Sequence, residues 1–156
     1  MSEQFALELN AFYSYLAMSA HCDSESLPGF AHWLRLQSNE ELEHAMRFYS
    51  FVSDRGGRVH FEQIDRPTES YGSVLELFEA ALGNERAVTK SINDLYALTI
   101  DERDYASQAF LDWFLTEQVE EEKLVGDVVA SLRRVGDRGD ALFLLDKELG
   151  ARSAAE

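Results

Sequence analysis

The sequence predicts an all-α chain: a four-helix bundle with a long crossover between the second and third helices and a short fifth helix at the C-terminal end. Three observations predict it. Apolar residues recur three and four apart through four long stretches. Only two prolines, Pro28 and Pro67, and nine glycines interrupt 156 residues, too few for a many-turned β fold. One central segment, 56–72, loses the helical period altogether. At this length, residues 1–156 are expected to form one domain.

The first helix, α1, is expected over residues 3–22. Phe5, Leu9, Phe12 and Leu16 form one stripe; Glu8, Phe12 and Tyr15 form the neighbouring one. Asp23-Ser24-Glu25-Ser26 reads as a turn. Pro28 suits the first turn of a second helix, where a missing N–H leaves nothing unbonded. That helix, α2, is expected over 28–55. It carries Phe30, Trp33, Leu34, Phe48 and Phe51, and Gly56-Gly57 stop it. The next segment, GGRVHFEQIDRPTESYG, is long for a connection inside a compact domain. Travel along the length of a bundle accounts for it, so α2 and the following helix are expected to run parallel. Ser73 with Glu76 three residues on has capping-box spacing and opens α3, over 74–100. A turn at Asp101–Arg103 leads into α4, which is expected to end near Gly136. Residues 139–149 form α5, with an apolar stripe of Leu142, Leu145 and Leu149. The two halves echo each other as a weak repeat: Glu8 precedes Glu41 at nearly the spacing at which Glu85 precedes Glu121.

The formal net charge of −15 opposes nucleic-acid binding, which needs a basic surface, and fits a protein that gathers cations. A single cysteine, Cys22, excludes an internal disulfide framework and any Cys-rich zinc site, and reads as a reduced, semi-buried thiol. No apolar run approaches roughly 18 residues, so no membrane span is expected. The N-terminal residues lack the basic region and apolar core of a signal peptide, so the expected location is cytoplasmic.

Chemistry concentrates in two motifs, Glu41-Leu42-Glu43-His44 and Glu117-Gln118-Val119-Glu120-Glu121-Glu122. Residues three or four apart share a helix face, so Glu41 aligns with His44, and Glu117 and Gln118 with Glu121. Glu8 lies among Phe5, Phe12 and Tyr15; Glu85 lies among Phe78, Leu82, Val88 and Ile92. A lone acid on such a face is more often a buried ion pair or a shallow acid at the core rim. Here the candidate bases Arg35, Arg47 and Lys123 sit on more polar faces. Four unpaired acids in one core repel, each like-charged pair by about 4 kcal/mol at ~4 Å in an effective dielectric near 20. Either protons or a cation must neutralise them. Four helices aiming acids inward is the pattern of a di-metal carboxylate bundle. Carboxylates with one imidazole suit iron or manganese, and zinc also binds such a set. Glu41, as a bridge, would hold two metals close enough to pass two electrons to one oxygen molecule. Tyr15 and Trp113 read as core aromatics or as further electron donors. Glu40, Glu117 and Glu120 form a possible second carboxylate patch, whereas Glu122 reads as a solvated surface acid.

Several stretches in order resemble the bacterial non-haem ferritins: LPGFAHWLRLQSNEELEHAMRFYSFVSDRGGRV, AVTKSINDLYALT, FLDWFLTEQVEEEKL and ALFLLDKELG. The resemblance implies a ferritin-like four-helix bundle with a short fifth helix, assembled as a hollow shell of 24 subunits. It implies ferroxidase activity, Fe(II) being oxidised with O2 or H2O2 and stored as ferric mineral. The first iron site then falls on Glu8, Glu41 and His44. The second falls on Glu41, Glu85 and Glu121, with Gln118 nearby, and an outlying third on Glu40, Glu117, Glu120 and Glu121. The family's centre-adjacent tyrosine falls on Tyr15. Haem is not expected, because the haem-carrying relatives place a methionine where this chain has Leu42. The family begins its first helix one or two turns further ahead of the residue matching Glu8. The rival readings are a di-iron oxidase or peroxidase without storage and a bundle with merely superficial acids.

Overall fold

In the computed structural model, which describes residues 1–136 and 138–153, five helices and no strand occur among the described residues. They are α1 Ser2–Ser24, α2 Pro28–Asp54, α3 Val74–Asp101, α4 Tyr105–Val135 and α5 Gly139–Leu149. The expected fold class and element order are those of the structure, with ends within two residues.

Local chemistry sets the ends. Pro28 occupies the first turn of α2. Gly56 adopts φ 72 just past its end, a left-handed conformation natural to glycine. Ser73 accepts a hydrogen bond from Glu76 N at 3.1 Å, and Glu76 Oε2 reaches back to Gly72 N at 3.1 Å. That is a capping arrangement displaced by one residue at the reciprocal contact. Asp104 caps α4 through Ser107 N at 3.2 Å and is gripped by Arg55 from the end of α2 at 2.6 Å.

Cross-helix hydrogen bonds give the topology. Ser19 bonds Ala31 O and Ser38 bonds Phe12 O, so α1 and α2 are antiparallel. Tyr15 meets Glu85 and Gln4 meets Ser91, so α1 and α3 are antiparallel too. It follows that α2 and α3 run parallel, as the length of the 55–73 connection requires. Gln37 meets Glu121 while Arg55 meets Asp104, so α4 runs against α2.

The core is two apolar clusters. One gathers Met18, Cys22, Phe30, Trp33, Leu34, Phe78, Val125 and Leu132 with Leu145 of α5. The other gathers Phe5, Phe48, Val88, Ile92, Leu111 and Phe114. Cys22 is wholly buried rather than half-buried, and burial pushes its thiol up to about 12. The buried face of α1 follows Phe5, Glu8, Ala11, Tyr15 and Met18; the expected stripe through Leu16 fails, since Leu16 is 40% exposed. The reason is competition: α1 packs on both α2 and α3, and the neighbouring stripe that carries Glu8 and Tyr15 takes the interior.

The fifth helix packs on α2 and α4 of its own bundle through Leu142, Leu145 and Leu149, leaving Phe143 and Leu144 exposed. Buried Asp146 anchors it: its Oδ1 accepts from Gly29 N at 2.8 Å and Phe30 N at 2.9 Å, at the N-terminus of α2 where free N–H groups favour an anion. The approach is so close that a Cβ on Gly29 would stand 1.7 Å from the Asp146 carbonyl oxygen. Gly29→Ala is therefore expected to undock α5 and lower the melting temperature of the metal-free protein. Gly83→Ala, inside α3 with open space around it, is expected to raise stability by about 0.5–1 kcal/mol. Thermal denaturation of both variants checks this; equal shifts would contradict the docking.

Candidate metal centre

Between the two apolar clusters lies a layer of polar side chains, one or more from each long helix. Glu8 comes from α1, Glu41 and His44 from α2, Glu85 from α3, and Gln118 and Glu121 from α4. Each is at most 4% exposed. Helical spacing puts them there: each sits one turn from a core aromatic or aliphatic residue, so the apolar faces carry them inward.

Amides and a phenol orient three of the four carboxylates. Gln4 Nε2 donates to Glu8 Oε1 at 2.8 Å, and Ser91 Oγ donates to Gln4 Oε1 at 2.6 Å. Gln37 Nε2 donates to Glu121 Oε2 at 2.7 Å. Tyr15 Oη donates to Glu85 Oε1, and Gln118 Nε2 lies 3.4 Å from Glu85 Oε2. Among the described residues Glu41 takes no hydrogen bond from an amide or hydroxyl; it faces His44 Nδ1 at 3.5 Å. The His44 ring is held by the edges of Trp113 and Phe114, at 5.4 and 5.9 Å between ring centres. Arg47 caps the outer face of Trp113 at 3.9 Å.

Two buried side-chain atoms among the described residues lack any hydrogen-bond partner, Glu8 Oε2 and His44 Nδ1. Both belong to the group formed by Glu8, Glu41 and His44, whose ligand atoms lie within 4.8 Å of one another. Buried polar atoms are rarely orphaned, and these two are an oxygen and an imidazole nitrogen, the donors a divalent cation takes. The residues therefore fit a metal ion. A second group, His44, Glu117 and Glu121, meets the same distance criterion.

Electrostatics agrees. Burial first, then the Glu41 charge, pushes Glu8 up to about 8. Burial, then Glu85, pushes Glu121 up to about 7. Burial followed by Glu85 and Glu121 raises Glu41 well above the usual carboxylate range. Burial also raises Glu85, against the donors Tyr15 and Gln118. Among the described residues no lysine or arginine touches any of the four, and His44 is the one imidazole beside them, so burial favours protons on the layer unless a cation replaces them.

The other expected site residues are less uniform. Glu117 is half-buried and Glu120 exposed, and both line a cavity with Glu40, His44, Trp113 and Glu121. Glu40 is paired with Arg152, whose Nη2 lies 3.0 and 2.9 Å from its two oxygens. Sequence reasoning named Gln118 but missed Arg152 and the orienting amides of Gln4 and Gln37. Gln4 had a usable signal, standing one helical turn before Glu8; Arg152 lies beyond α5 in no periodic pattern and had none.

The family model for the Ferritin-like domain matches residues 1–135. The chain belongs to the ferritin family. Bacterial non-heme ferritins of Staphylococcus aureus (strain USA300) and Staphylococcus epidermidis (strain ATCC 12228 / FDA PCI 1200) are 39% and 41% identical to it over 156 residues, 100% of this chain and 94% of each relative. Among solved structures, an engineered closed form of the Archaeoglobus fulgidus ferritin superimposes with a TM-score of 0.96 at 42% identity, covering 99% of this chain and 94% of that one. A humanized archaeal ferritin gives a TM-score of 0.97 at 41% identity, with the same coverages. The resemblance read from the sequence motifs is borne out, and so is the ferritin bundle.

The raised carboxylates of this ferritin make its metal-free stability depend on pH. Between the unfolded value near 4.5 and the folded values of about 7 and about 8, the folded chain keeps protons that the unfolded chain releases. Stability must then fall as pH rises through that window. The melting temperature of metal-free protein is expected to be lower at about pH 8.5 than at about pH 5.5, and a bound divalent metal should remove most of the slope. A metal-free melting temperature that rises across this window would contradict the buried, protonated layer.

Proposed function

We propose that this chain is a ferroxidase and iron-storage protein, oxidising Fe(II) at the buried carboxylate layer. The observation that carries the reading is the pair of ligand atoms without a hydrogen-bond partner, Glu8 Oε2 and His44 Nδ1, inside a buried acid layer that no lysine or arginine among the described residues touches. Membership of the ferritin family and the similarity to bacterial non-heme ferritins support it.

Fe(II) is the substrate. Glu8, Glu41 and His44 take one ion. Glu41, Glu85 and Glu121 take the other, with Gln118 beside them, so that Glu41 is shared. The hydrogen bonds support the remaining roles. Gln4 and Gln37 each occupy one oxygen of a terminal carboxylate and leave the other for metal. Glu41, with no such donor, is free to turn both oxygens toward the ions. Two ferrous ions give one electron each; O2 accepts both with two protons to become H2O2, or H2O2 accepts them with two protons to become two waters. Protons displaced from the layer on metal entry are available for this step. Tyr15, bonded to Glu85, is placed to hold that ligand. Ferric ions then pass toward Glu117 and Glu120, with Glu40 at the edge, as a weaker third site on the route to storage. Haem has no part in this reading, since Leu42 offers no ligand atom where haem-carrying relatives have methionine.

The single ferritin-like domain is taken to work in the cytoplasm as a closed shell of 24 copies. Support comes from apolar side chains left in water by the lone subunit: Phe143 and Leu144 on α5, Tyr105 at the start of α4 and Val119 on its flank. Summed acidity would draw Fe(II) toward such a shell.

Stopped-flow absorbance after aerobic mixing with Fe(II) tests the chemistry. Glu41→Ala is expected to lower the initial rate of ferric formation roughly 100-fold or more, and His44→Ala to lower it strongly. Wild-type rates in both variants would sink the assignment. Light scattering tests the storage reading: 24 chains of 17.7 kDa give about 0.4 MDa. A stable dimer that oxidises iron without retaining it would mark a non-storage di-iron oxidase instead.

A further inference from the structure

The segment after α5 reaches back to the metal layer through one side chain, Arg152. Asp146 fixes α5 on the first turn of α2. Three residues past α5, the Arg152 carbonyl accepts from His32 Nε2 at 2.9 Å. Its guanidinium lies 5.0 Å from the centre of the Trp33 ring. It donates to Gln37 Oε1 and, through Nη2, to both oxygens of Glu40. Trp33, Gln37 and Glu40 stand three and four apart, so one face of α2 cradles the guanidinium.

The consequence lies in Gln37. A guanidinium donates and never accepts, so the amide must turn its oxygen toward Arg152. Its NH2 group is then forced to the opposite side, where Nε2 meets Glu121 Oε2 at 2.7 Å. Gln37 is wholly buried. With Arg152 removed, the amide oxygen loses its partner, and Glu121 alone is left to hold the amide in place.

We propose that Arg152 is a positioning residue for the metal centre: by fixing the Gln37 amide it holds Glu121 with one oxygen occupied and the other free for the cation. The proposal rests on Glu121 being a metal ligand. It also couples the docking of α5 to the ligand set, because Arg152 reaches Gln37 only while the fifth helix is seated. Glu40 is held in the same fork, so Arg152 restrains a second acid at the rim of the Glu117 cavity.

Anaerobic titration of the assembled, metal-free protein with Co(II) tests it, followed by the visible d–d spectrum and by ions bound per chain. The variants are Arg152→Met, which keeps an apolar stem over Trp33, and Gln37→Leu. Each is expected to weaken Co(II) binding by about 10-fold or more and to alter the d–d band, with helical content and particle size unchanged. The double variant should bind no worse than Gln37→Leu alone, because both changes break one relay. Wild-type affinity and spectrum in Arg152→Met, or additive losses in the double variant, would overturn the proposal. If Arg152→Met fails to assemble, a wild-type spectrum in Gln37→Leu overturns it equally. Absence of saturable Co(II) binding in the wild type would remove Glu121 as a ligand, and with it the metal-centre reading as a whole.

Discussion

Four carboxylates buried in one layer, with one imidazole beside them and no lysine or arginine in contact among the described residues, set the terms for the rest of this structure. Placing an ion in a protein interior costs several kcal/mol even after relaxation, and neighbouring like charges add to that. The bundle tolerates the layer because the charge is removed on either of two routes, by protons or by a divalent cation. Apolar clusters on both sides, built around Phe30, Trp33 and Phe78 at one end and Phe48, Phe110 and Phe114 at the other, provide the stability that lets a polar layer persist. That division of labour, a packed frame around an unfavourable centre, is how binding sites are commonly sustained.

The donors around the layer are arranged by the same logic. Gln4, Gln37, Gln118 and Tyr15 each give a hydrogen bond to a terminal carboxylate, which fixes rotamers without adding charge. A lysine or arginine in their place would neutralise the acids and compete with metal. Arg152 stays a full side chain away and acts on Glu121 through Gln37. Neutral donors nearest the acids and a cationic group behind them keep the layer receptive to cations.

Much of this was legible in the sequence because it obeys short-range periodicity. Glu41 and His44, or Gln118 and Glu121, lie one turn apart and so declare a shared face. Pro28, Gly56 and the Ser73–Glu76 pair declare helix ends within a residue or two. The motif sequence around them identified the family. What stayed hidden depended on contacts between distant segments. The Asp146 grip on Gly29 and Phe30, and the Arg152 fork on Gln37 and Glu40, join positions more than a hundred residues apart. No local pattern marks them. On α1 the inward aim of Glu8 and Tyr15 was legible, but Leu16 was not: it fits an apolar stripe, yet burial was decided by which neighbours α1 met, and they took the side bearing Glu8 and Tyr15.

The most direct test of the central claim is a crystal soaked anaerobically in Fe(II), with anomalous scattering recorded at the iron edge. Two peaks sharing Glu41 are expected, one beside Glu8 and His44 and the other beside Glu85 and Glu121. A layer free of anomalous density, with iron confined to exposed acids such as Glu120, would show that the buried carboxylates are neutralised by protons alone and are not the site where iron binds.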